Sequence, residues 1–513
     1  MNGAGALIQT LVANQVTACF ANPGTSEMQF VAALDREPRM RPVLCLFEGV
    51  ATGAADGYGR IADRPACTLL HLGPGYGNGV ANLHNARRAF TPLVNIVGDH
   101  ATYHRQYDPP LNSDIATLAR PNSIWTRSAD SADQIAALTA EAVQASYGPP
   151  GGPVSLILPA DTAWLPTSAE TIVMSPPQRS EPDVGVVADV ARAIRRARKP
   201  VILLGGQACR AEALAQAGRL AAAGITIYAD TFVPRQARGA GAYAPRKMPY
   251  HGEVALAELT GVDLMICVDT GAPVAFFAYP DRPSTLLPEG CSTLTLVERG
   301  QDAAMGLLAL AEALDAPRDG LRQQLKLPDA RAQGALDPFF VGAALARHMP
   351  EGAILCDDSV TSSVGVVTGT ATARPHEVLA LTGGAIGIGL PLAIGASVAA
   401  PDRKVLSLNG DGSALYTLQA LWTMAREGLD ITVVVFVNHS YRILNVEMER
   451  TGSGPPGSSA RRLLDLGEPE IDWIALARGM GLPATACSTA EEFDVALDAA
   501  MSQRGPMFIA ARI

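Results

Sequence analysis

The stretch KVLSLNGDGS (404–413) contains an apolar strand that runs directly into Gly-Asp-Gly. A second apolar run, ITVVVFVN (431–438), follows after a segment with the composition of a helix. Strand, helix and strand in this order are typical of a parallel α/β unit. Because the carboxyl ends of parallel strands meet at one edge of a sheet, we expect Asp411 and Asn438 to lie side by side at that edge.

The same alternation of aliphatic runs and Ala/Leu-rich segments continues outward through the 513 residues. It predicts an α/β protein of three domains, each with a mostly parallel sheet flanked by helices. The predicted domains are 1–165, 185–325 and 336–513, with a polar linker at 166–184 and a charged, helix-like connector around 315–336. The first and third blocks have similar lengths and alternation, which suits two related domains around a different middle one. The predicted strands are 67–72, 92–98, 153–160, 199–207, 225–230, 263–271, 293–298, 353–359, 404–408, 431–438 and 506–513.

Composition limits the classes of function. Apolar residues make up 48% of the chain and charged residues 18%, as in globular proteins, and the net charge of −10 argues against nucleic-acid or anionic-membrane partners. The eight cysteines form no CxxC pair, which favours reduced thiols over disulfides or a zinc site. The amino terminus shows no secretory leader and suggests a short amphipathic helix, so we expect a cytoplasmic protein.

One segment, residues 378–400, is long enough to cross a membrane and carries no charge over 23 residues. Its five glycines and Pro391 disfavour a continuous helix. We therefore predict a strand, a glycine-rich turn and a buried helix.

The Gly-Asp-Gly turn has two interpretations. By itself it is a tight turn. With a strand before it, a helix after it and Asn438 separated from Gly412 by 25 residues, it suits phosphate and cation binding. Glycine lets the backbone approach phosphate oxygens at a helix N-terminus, and carboxylate and amide oxygens are ligands that Mg²⁺ prefers.

GDGS followed, after 24 residues, by NHSY resembles the thiamine diphosphate motif of the pyruvate decarboxylase, acetolactate synthase and benzoylformate decarboxylase group. The resemblance covers essentially the whole chain and implies thiamine diphosphate and Mg²⁺ as cofactors. It assigns metal oxygens to Asp411, Asn438 and the Ser440 carbonyl. Val437 departs from the second Asn that many relatives carry. The further cofactor contacts it implies in this domain are Thr361, Gly410, Gly412, Ser413, Asn438, Ser440 and Tyr441.

Glu48 follows the run RPVLCLFE and opens a segment of small residues, GVATGAADGYGR. Alone it reads equally well as a helix-capping residue. The resemblance makes it the carboxylate that bonds to the aminopyrimidine ring of the cofactor and activates it. The same resemblance places Ile386 beneath the cofactor, although core packing explains that residue too, and it assigns Asn78 and Gly384 to cofactor binding.

The substrate side is predicted from two loops, NPGTSE (22–27) and HLGPGYGN (71–78). Both resemble loops of benzoylformate decarboxylase, which implies that Thr25 lies near the substrate carboxylate and that His71 transfers protons, as imidazole can near neutral pH. A structural role is the alternative for His71. A third loop, His100–Asp108, could recognise an acidic substrate through His104, or could simply be solvent-exposed.

The resemblance implies decarboxylation of a 2-oxoacid through an enamine to an aldehyde. The alternatives are an acetolactate synthase-like carboligase that joins two 2-oxoacids and a homologue that binds the cofactor without turnover. FAD is not expected, since the flavin segment of acetolactate synthase is missing. Phe276, Phe277 and Ala278 stand where benzoylformate decarboxylase carries a second histidine. A homodimer or homotetramer with shared active sites is implied by the resemblance alone.

Overall fold

The computed structural model describes residues 1–328 and 333–513 and contains three sheets. The first is a six-stranded parallel sheet in the order β2-β1-β3-β4-β6-β5. Its strands are β1 (Ala18–Asn22), β2 (Arg41–Leu44), β3 (Ala66–Leu70), β4 (Leu93–Asp99), β5 (Trp125–Ser128) and β6 (Pro153–Pro159). Its helices are α1 (Gly3–Ala13), α2 (Met28–Leu34), α3 (Glu48–Ala62), α4 (Leu72–Ala89), α5 (Ile115–Ala119), α6 (Ile135–Tyr147) and α7 (Ala160–Trp164).

The middle sheet has five parallel strands in the order β10-β8-β7-β11-β12. The strands of this region are β7 (Pro200–Leu204), β8 (Thr226–Ala229), β9 (Gln236–Arg238), β10 (Arg246–Lys247), β11 (Leu264–Val268) and β12 (Ser292–Val297). The helices are α8 (Val184–Arg196), α9 (Ala211–Ala222), α10 (Gly252–Glu258) and α11 (Ala303–Ala313).

The third sheet has seven strands in the order β17-β18-β16-β15-β13-β14-β9. Its own strands are β13 (Ala353–Asp358), β14 (His376–Ala380), β15 (Val405–Gly410), β16 (Ile431–Val437), β17 (Ala484–Cys487) and β18 (Met507–Arg512). Its helices are α12 (Pro338–His348), α13 (Ser363–Gly369), α14 (Gly389–Ala399), α15 (Asp411–Ala414), α16 (Ala420–Glu427), α17 (Arg442–Arg450), α18 (Ser458–Leu464), α19 (Trp473–Gly479) and α20 (Ala490–Met501). The seventh strand, β9, comes from the middle region and pairs antiparallel with β14.

The first and third sheets share one topology. Without β9, the third sheet runs β14-β13-β15-β16-β18-β17, which is the order of the first sheet strand for strand. In each sheet the strand order reverses between the first and third strands, β1 and β3 or β13 and β15, and ligands of open α/β sheets bind at such a reversal. The expectation of two related domains around a different middle one is confirmed.

Helices α3 and α14 pack the first and third domains together. Gly57 of α3 lies against the backbone of Leu392, and Gly395 of α14 lies against the backbone of Ala54, so any side chain at either glycine would overlap the other helix. Buried residues of both helices belong to one hydrophobic cluster that spans the two sheets. This contact fixes the carboxyl edges of the two sheets relative to each other within one chain.

The predicted strands are present in the structure, and the membrane segment is β14, a turn and α14, as expected. None of the described helices combines the length and apolar character that a bilayer span requires. The amino-terminal helix is present but is buried over most of its surface rather than amphipathic. All eight cysteines are free thiols. The domain boundaries remain predictions.

Three local predictions were wrong. Residues 72–78 are not a loop but the first turns of α4, where Pro74 is tolerated because no intrahelical donor is needed there. The segment after Gly412 is not one helix: α15 ends at Ala414, a 3₁₀ turn follows, and α16 begins at Ala420. The Thr417 hydroxyl in that turn donates to the Gly387 carbonyl and ties the turn to the neighbouring loop. The described part of the 315–336 connector contains no helix, and Pro317, Gly320 and Pro328 explain why, whereas residues 329–332 lie outside the described residues.

Candidate functional site

The carboxyl edge of the third sheet brings Asp411 and Asn438 together, as predicted from their strands. Asp411 Oδ2 accepts hydrogen bonds from the backbone N–H of Asn438 (3.0 Å) and His439 (2.7 Å). Its Oδ1 accepts from the N–H of Gly412 at 2.8 Å. The side chain is buried, and desolvation raises the pKa of Asp411 although these three N–H groups oppose the rise. A buried carboxylate held only by backbone donors is suited to a cation.

The oxygen donors around Asp411 fit Mg²⁺. Within residues 1–328 and 333–513, no three His, Cys, Asp or Glu side chains converge as a metal site would require. A cation here would therefore depend on one carboxylate together with amide and backbone oxygens, which is the hard-donor set of Asp411, Asn438 and Ser440. Asn438 Oδ1 accepts from the Ser440 N–H at 2.9 Å and keeps a second lone pair.

The loop that follows Asn438 is held from several sides. His439 has a left-handed backbone with φ of 56°, and Ser440 Oγ donates to the Leu464 carbonyl at 3.3 Å. The Tyr441 ring lies against Gly412, where any side chain would displace it. Ser413 is buried directly beside Gly410 in the first turn of α15. Most of the predicted phosphate and metal contacts of this domain thus lie in two segments, residues 410–413 and 438–441, which Asp411 and the Tyr441 ring hold together.

A rim, residues 382–387, carries the predicted contacts Gly384 and Ile386. Asn85 of α4 fixes it by accepting from the N–H of Gly383 (3.1 Å) and donating to the carbonyl of Ala385 (2.8 Å). Gly384 has φ of 77°, which favours glycine. Ile386 is half-buried, and its position beneath the cofactor stays a prediction.

Asp358 sits under this rim at the strand-order reversal. Its Oδ2 accepts from the N–H groups of Gly387 (2.8 Å) and Gly389 (3.3 Å), and burial raises the pKa of Asp358 to about 7. Its Oδ1 and the Oδ1 of its register partner Asn409 are buried without a hydrogen-bond partner. Sequence reasoning did not find Asp358. Thr361, a predicted diphosphate contact, lies half-buried in the short 3₁₀ helix that follows it.

At the carboxyl edge of the first sheet, Glu48 begins helix α3 and is buried. The Asn78 amide donates to Glu48 Oε2 at 2.9 Å, so the predicted cofactor contact Asn78 holds this carboxylate. A Cβ added at Gly75 would lie 3.0 Å from Glu48 Oε1 and 3.3 Å from the Cβ of His71. Glu48 Oε1 and the Cβ of His71 therefore both approach the side of Gly75 on which a Cβ would lie.

His71 pairs with a residue that sequence reasoning missed. Its Nδ1 lies 2.8 Å from Glu27 Oε2, and Ser26 Oγ donates to Glu27 Oε1 at 2.8 Å. Glu27 is 2% exposed, because Gly98 of β4 leaves room for it where any side chain would clash. The pair lies at the strand-order reversal between β1 and β3. The only sequence signal was an acidic residue in NPGTSE, which reads as an ordinary helix-start glutamate.

The remaining predicted substrate contacts are exposed. Thr25 is exposed, and its neighbour Ser26 is the residue that approaches His71, at 3.4 Å between Oγ and Nδ1. His104 is also exposed, with its ring centroid 5.7 Å from that of His100. Arg105 forms an ion pair with buried Asp99 at 3.0 Å, and burial raises the pKa of Asp99. These facts place no substrate, so Thr25 and His104 stay predictions.

Within one chain, the carboxylates of Glu48 and Asp411 have different hydrogen-bond partners. Glu48 bonds to Asn78 and Asp411 bonds to Gly412, Asn438 and His439, and in the described chain no hydrogen bond joins the two carboxylates. Each half nevertheless lies at the same edge of a topologically equivalent sheet. A ligand with two chemically different ends could occupy both halves.

Comparison with known proteins adds independent information. A model of the N-terminal TPP binding domain of thiamine pyrophosphate enzymes matches residues 1–118, and the corresponding C-terminal TPP binding domain matches residues 362–511. The protein named "Putative acetolactate synthase large subunit IlvX" from Mycobacterium tuberculosis is 49% identical over 99% of this chain and 98% of its own. Benzoylformate decarboxylase from Pseudomonas aeruginosa is 29% identical over 96% of this chain and 95% of its own.

Among solved structures, the thiamine diphosphate-dependent 4-hydroxybenzoylformate decarboxylase of Rhodococcus jostii RHA1 is similar, with a TM-score of 0.86. It is 25% identical in sequence, and the likeness covers 100% of this chain and 99% of that one. Decarboxylases and acetolactate synthases thus both occur among the similar proteins.

Proposed function

The chain belongs to the thiamine pyrophosphate enzymes, and from that premise we propose that it decarboxylates a 2-oxoacid and releases an aldehyde, using thiamine diphosphate held through Mg²⁺. One observation carries the proposal: buried Glu48 and the Glu27-paired His71 flank Gly75 at the carboxyl edge of the first sheet. A non-catalytic cofactor binder has no need of two proton-transfer groups placed so close together.

The chain's own residues would divide the work between the two sheet edges. Asp411, Asn438 and Ser440 would hold Mg²⁺ and, through it, the diphosphate. Glu48 would hold the other end of the cofactor by a hydrogen bond from its carboxyl group to the pyrimidine ring. When bound, the cofactor supplies an electron sink for cleaving the bond next to the substrate carbonyl.

His71 would then deliver the proton that completes the product. Its Nδ1 faces the buried Glu27 carboxylate, so Nε2 is the nitrogen left to exchange a proton with substrate. A positioned proton donor supports aldehyde release, which is why decarboxylation is the first choice.

The second candidate is carboligation, in which the substrate carbon that has lost CO2 attacks the carbonyl of a second substrate molecule instead of taking a proton. Ala278, with Phe276 and Phe277 before it, stands where benzoylformate decarboxylase has another histidine, so this chain has fewer proton donors there. The 49% identity with IlvX, whose name refers to acetolactate synthase, points the same way.

Product identification separates the two. The holoprotein would be incubated with thiamine diphosphate, Mg²⁺ and either pyruvate or benzoylformate, with released CO2 and carbon products measured together. Aldehyde in a one-to-one ratio with CO2 supports decarboxylation, whereas an acetohydroxy acid or acyloin supports carboligation. Absence of CO2 from a broad 2-oxoacid panel, with cofactor demonstrably bound, would reject both.

We also propose that two protomers share each site, because Glu48 and Asp411 have separate partners within one chain. Mixing Glu48→Gln protein with Asp411→Ala protein under subunit exchange should restore part of the activity, since one of the two shared sites would then be intact. Mixtures no more active than the separate variants would contradict shared sites.

A further inference from the structure

The middle domain places an aromatic cluster against the rim at Gly384. A Cβ added at Gly384 would lie 2.6 Å from Cζ of Phe276. The ring of Phe276 packs at 5.5 Å from Phe232, 5.3 Å from Tyr250 and 4.9 Å from Phe277, measured between centroids. The cluster therefore borders the place where Gly384 would meet the cofactor.

One side of the cluster opens into a cavity of about 320 Å³. Phe276 and Phe277 remain 41% and 53% exposed, a large exposure for aromatic side chains next to a recess. Both residues lie between β11 and β12, in the segment 269–291, which has no helix and one isolated β-bridge. Long irregular segments of this kind in a compact domain are usually functional. The cavity is also lined by Tyr250, Gly252, Glu253, Leu256, Ala275, Tyr279, Arg282 and Pro283.

The charged side chains at the cavity form ion pairs with one another. Glu253 accepts two hydrogen bonds from Arg450 of α17, at 2.5 and 3.0 Å, and pairs with Arg282 at 2.7 Å. Arg450 also lies 3.8 Å from Glu447. Two arginines and two glutamates thus face one another, so the described residues that line the cavity offer no unpaired cation to a ligand's second carboxylate. Lys247, whose Nζ lies 5.9 Å from the centre of the Phe232 ring, is not part of that lining.

From this arrangement we propose that the aromatic recess around Phe276 and Tyr250 receives the side chain of the 2-oxoacid and selects a neutral, ring-sized group. The inference rests on the proposed function, because it requires the reacting carbon to lie near Gly384. Aromatic rings favour edge-to-face neighbours such as those already present here, and ligand pockets of this volume suit one ring. A methyl group would leave most of the recess unfilled, and a carboxylate would be desolvated without a partner.

Substrate competition tests the recess. The ratio of kcat/KM for phenylpyruvate to that for pyruvate should exceed tenfold in the wild type, and 2-oxoglutarate should be the poorest of the three. Phe276→Ala should reduce the phenylpyruvate-to-pyruvate ratio at least tenfold. Phe339→Ala, which changes another exposed phenylalanine far along the chain on α12, should leave the ratio unchanged.

A binding measurement keeps this test independent of turnover. Phenylacetate has the ring and a carboxylate but no reactive carbonyl. Measured by calorimetry, it should bind the holoprotein at least tenfold more tightly than acetate does. The Phe276→Ala substitution should remove this difference in affinity. Turnover that favours pyruvate, or a ratio untouched by Phe276→Ala, would overturn the recess alone. If no 2-oxoacid is turned over, the proposed function fails, and equal binding of phenylacetate and acetate would then overturn the recess as well.

Discussion

Glu27→Gln replaces the buried carboxylate that faces His71 with an uncharged amide of similar shape. The carboxylate accepts from Gly24 N–H (2.7 Å) and Ser26 Oγ (2.8 Å) and lies 2.8 Å from His71 Nδ1. A hydrogen bond to a charged group contributes about 1.5–3 kcal/mol, and about 1.4 kcal/mol is a factor of ten. If His71 is charged in the rate-limiting step, kcat should therefore fall about ten- to 150-fold.

Steady-state decarboxylation at saturating thiamine diphosphate and Mg²⁺ measures this loss. KM and cofactor affinity should change less than about threefold, because we propose that Glu27 contacts His71 and not the substrate or the cofactor. Ser26→Ala keeps the carboxylate opposite His71 and removes only one of the hydrogen bonds that this carboxylate accepts, so its loss in kcat should be smaller. Glu27→Asp, which retains the charge, should recover part of the activity and distinguishes the role from simple packing.

A double-mutant cycle shows whether Glu27 acts through His71. In a His71→Ala background, Glu27→Gln should reduce kcat no further, because the interaction it weakens is already gone. A kcat within threefold of the wild type for a folded Glu27→Gln protein would refute the reasoning. Fully additive effects of the two substitutions would refute it equally, since they would show that the residues act separately.

Three further predictions follow from the charged groups at the other sites. Burial raises the pKa of Asp358 to about 7, so the folded state binds its proton more tightly than the unfolded state does. The free energy of unfolding of the wild type relative to Asp358→Asn should therefore fall as pH rises from about 4 to 7, by at most about 1.4 kcal/mol per pH unit. The same difference in unfolding free energy at pH 5 and at pH 8 would contradict this. Asp411→Ala should lose thiamine diphosphate on gel filtration in Mg²⁺, whereas Asp269→Ala, which changes a buried aspartate just after β11 of the middle sheet, should keep it. The hydrogen bonds from Arg450 lower the pKa of Glu253 to about 2. Helix α17 should therefore be better protected from hydrogen exchange in the wild type than in Glu253→Gln above pH 5, and this difference should decline as pH falls from about 4.5 towards 2. A difference in protection that does not change with pH would count against the prediction.

The sequence allowed the third-sheet site to be predicted because its parts are local. Asp411 and Asn438 each end an apolar strand, and one helix-length of chain separates the strands, so parallel pairing alone brings them together. Period and turn chemistry are enough for such a prediction. Similar alternation in two blocks of similar length likewise predicted two related domains, whereas the strand order within each sheet was not predicted and is seen only in the structure.

The missed features depend on long-range packing. Glu27 and His71 are 44 positions apart in the chain and become buried partners because β1 pairs with β3 and because Gly98 of β4 leaves space for the Glu27 side chain. Strand β9 has three residues and becomes visible only where it pairs with β14. Residues 72–78 look like a loop by composition, yet burial of α4 against α3 makes them helical, which shows tertiary packing overriding local propensity.

The account depends most on Glu48 as the group that activates the cofactor rather than one that merely helps to bind it. The decisive measurement is bound thiamine diphosphate and turnover, determined on the same preparation of Glu48→Gln, with Glu37→Gln as a buried first-domain control. We predict that Glu48→Gln retains the cofactor and loses turnover at least about 100-fold, the scale of a proton-transfer group, while Glu37→Gln keeps both. Turnover of Glu48→Gln within threefold of the wild type would contradict the account.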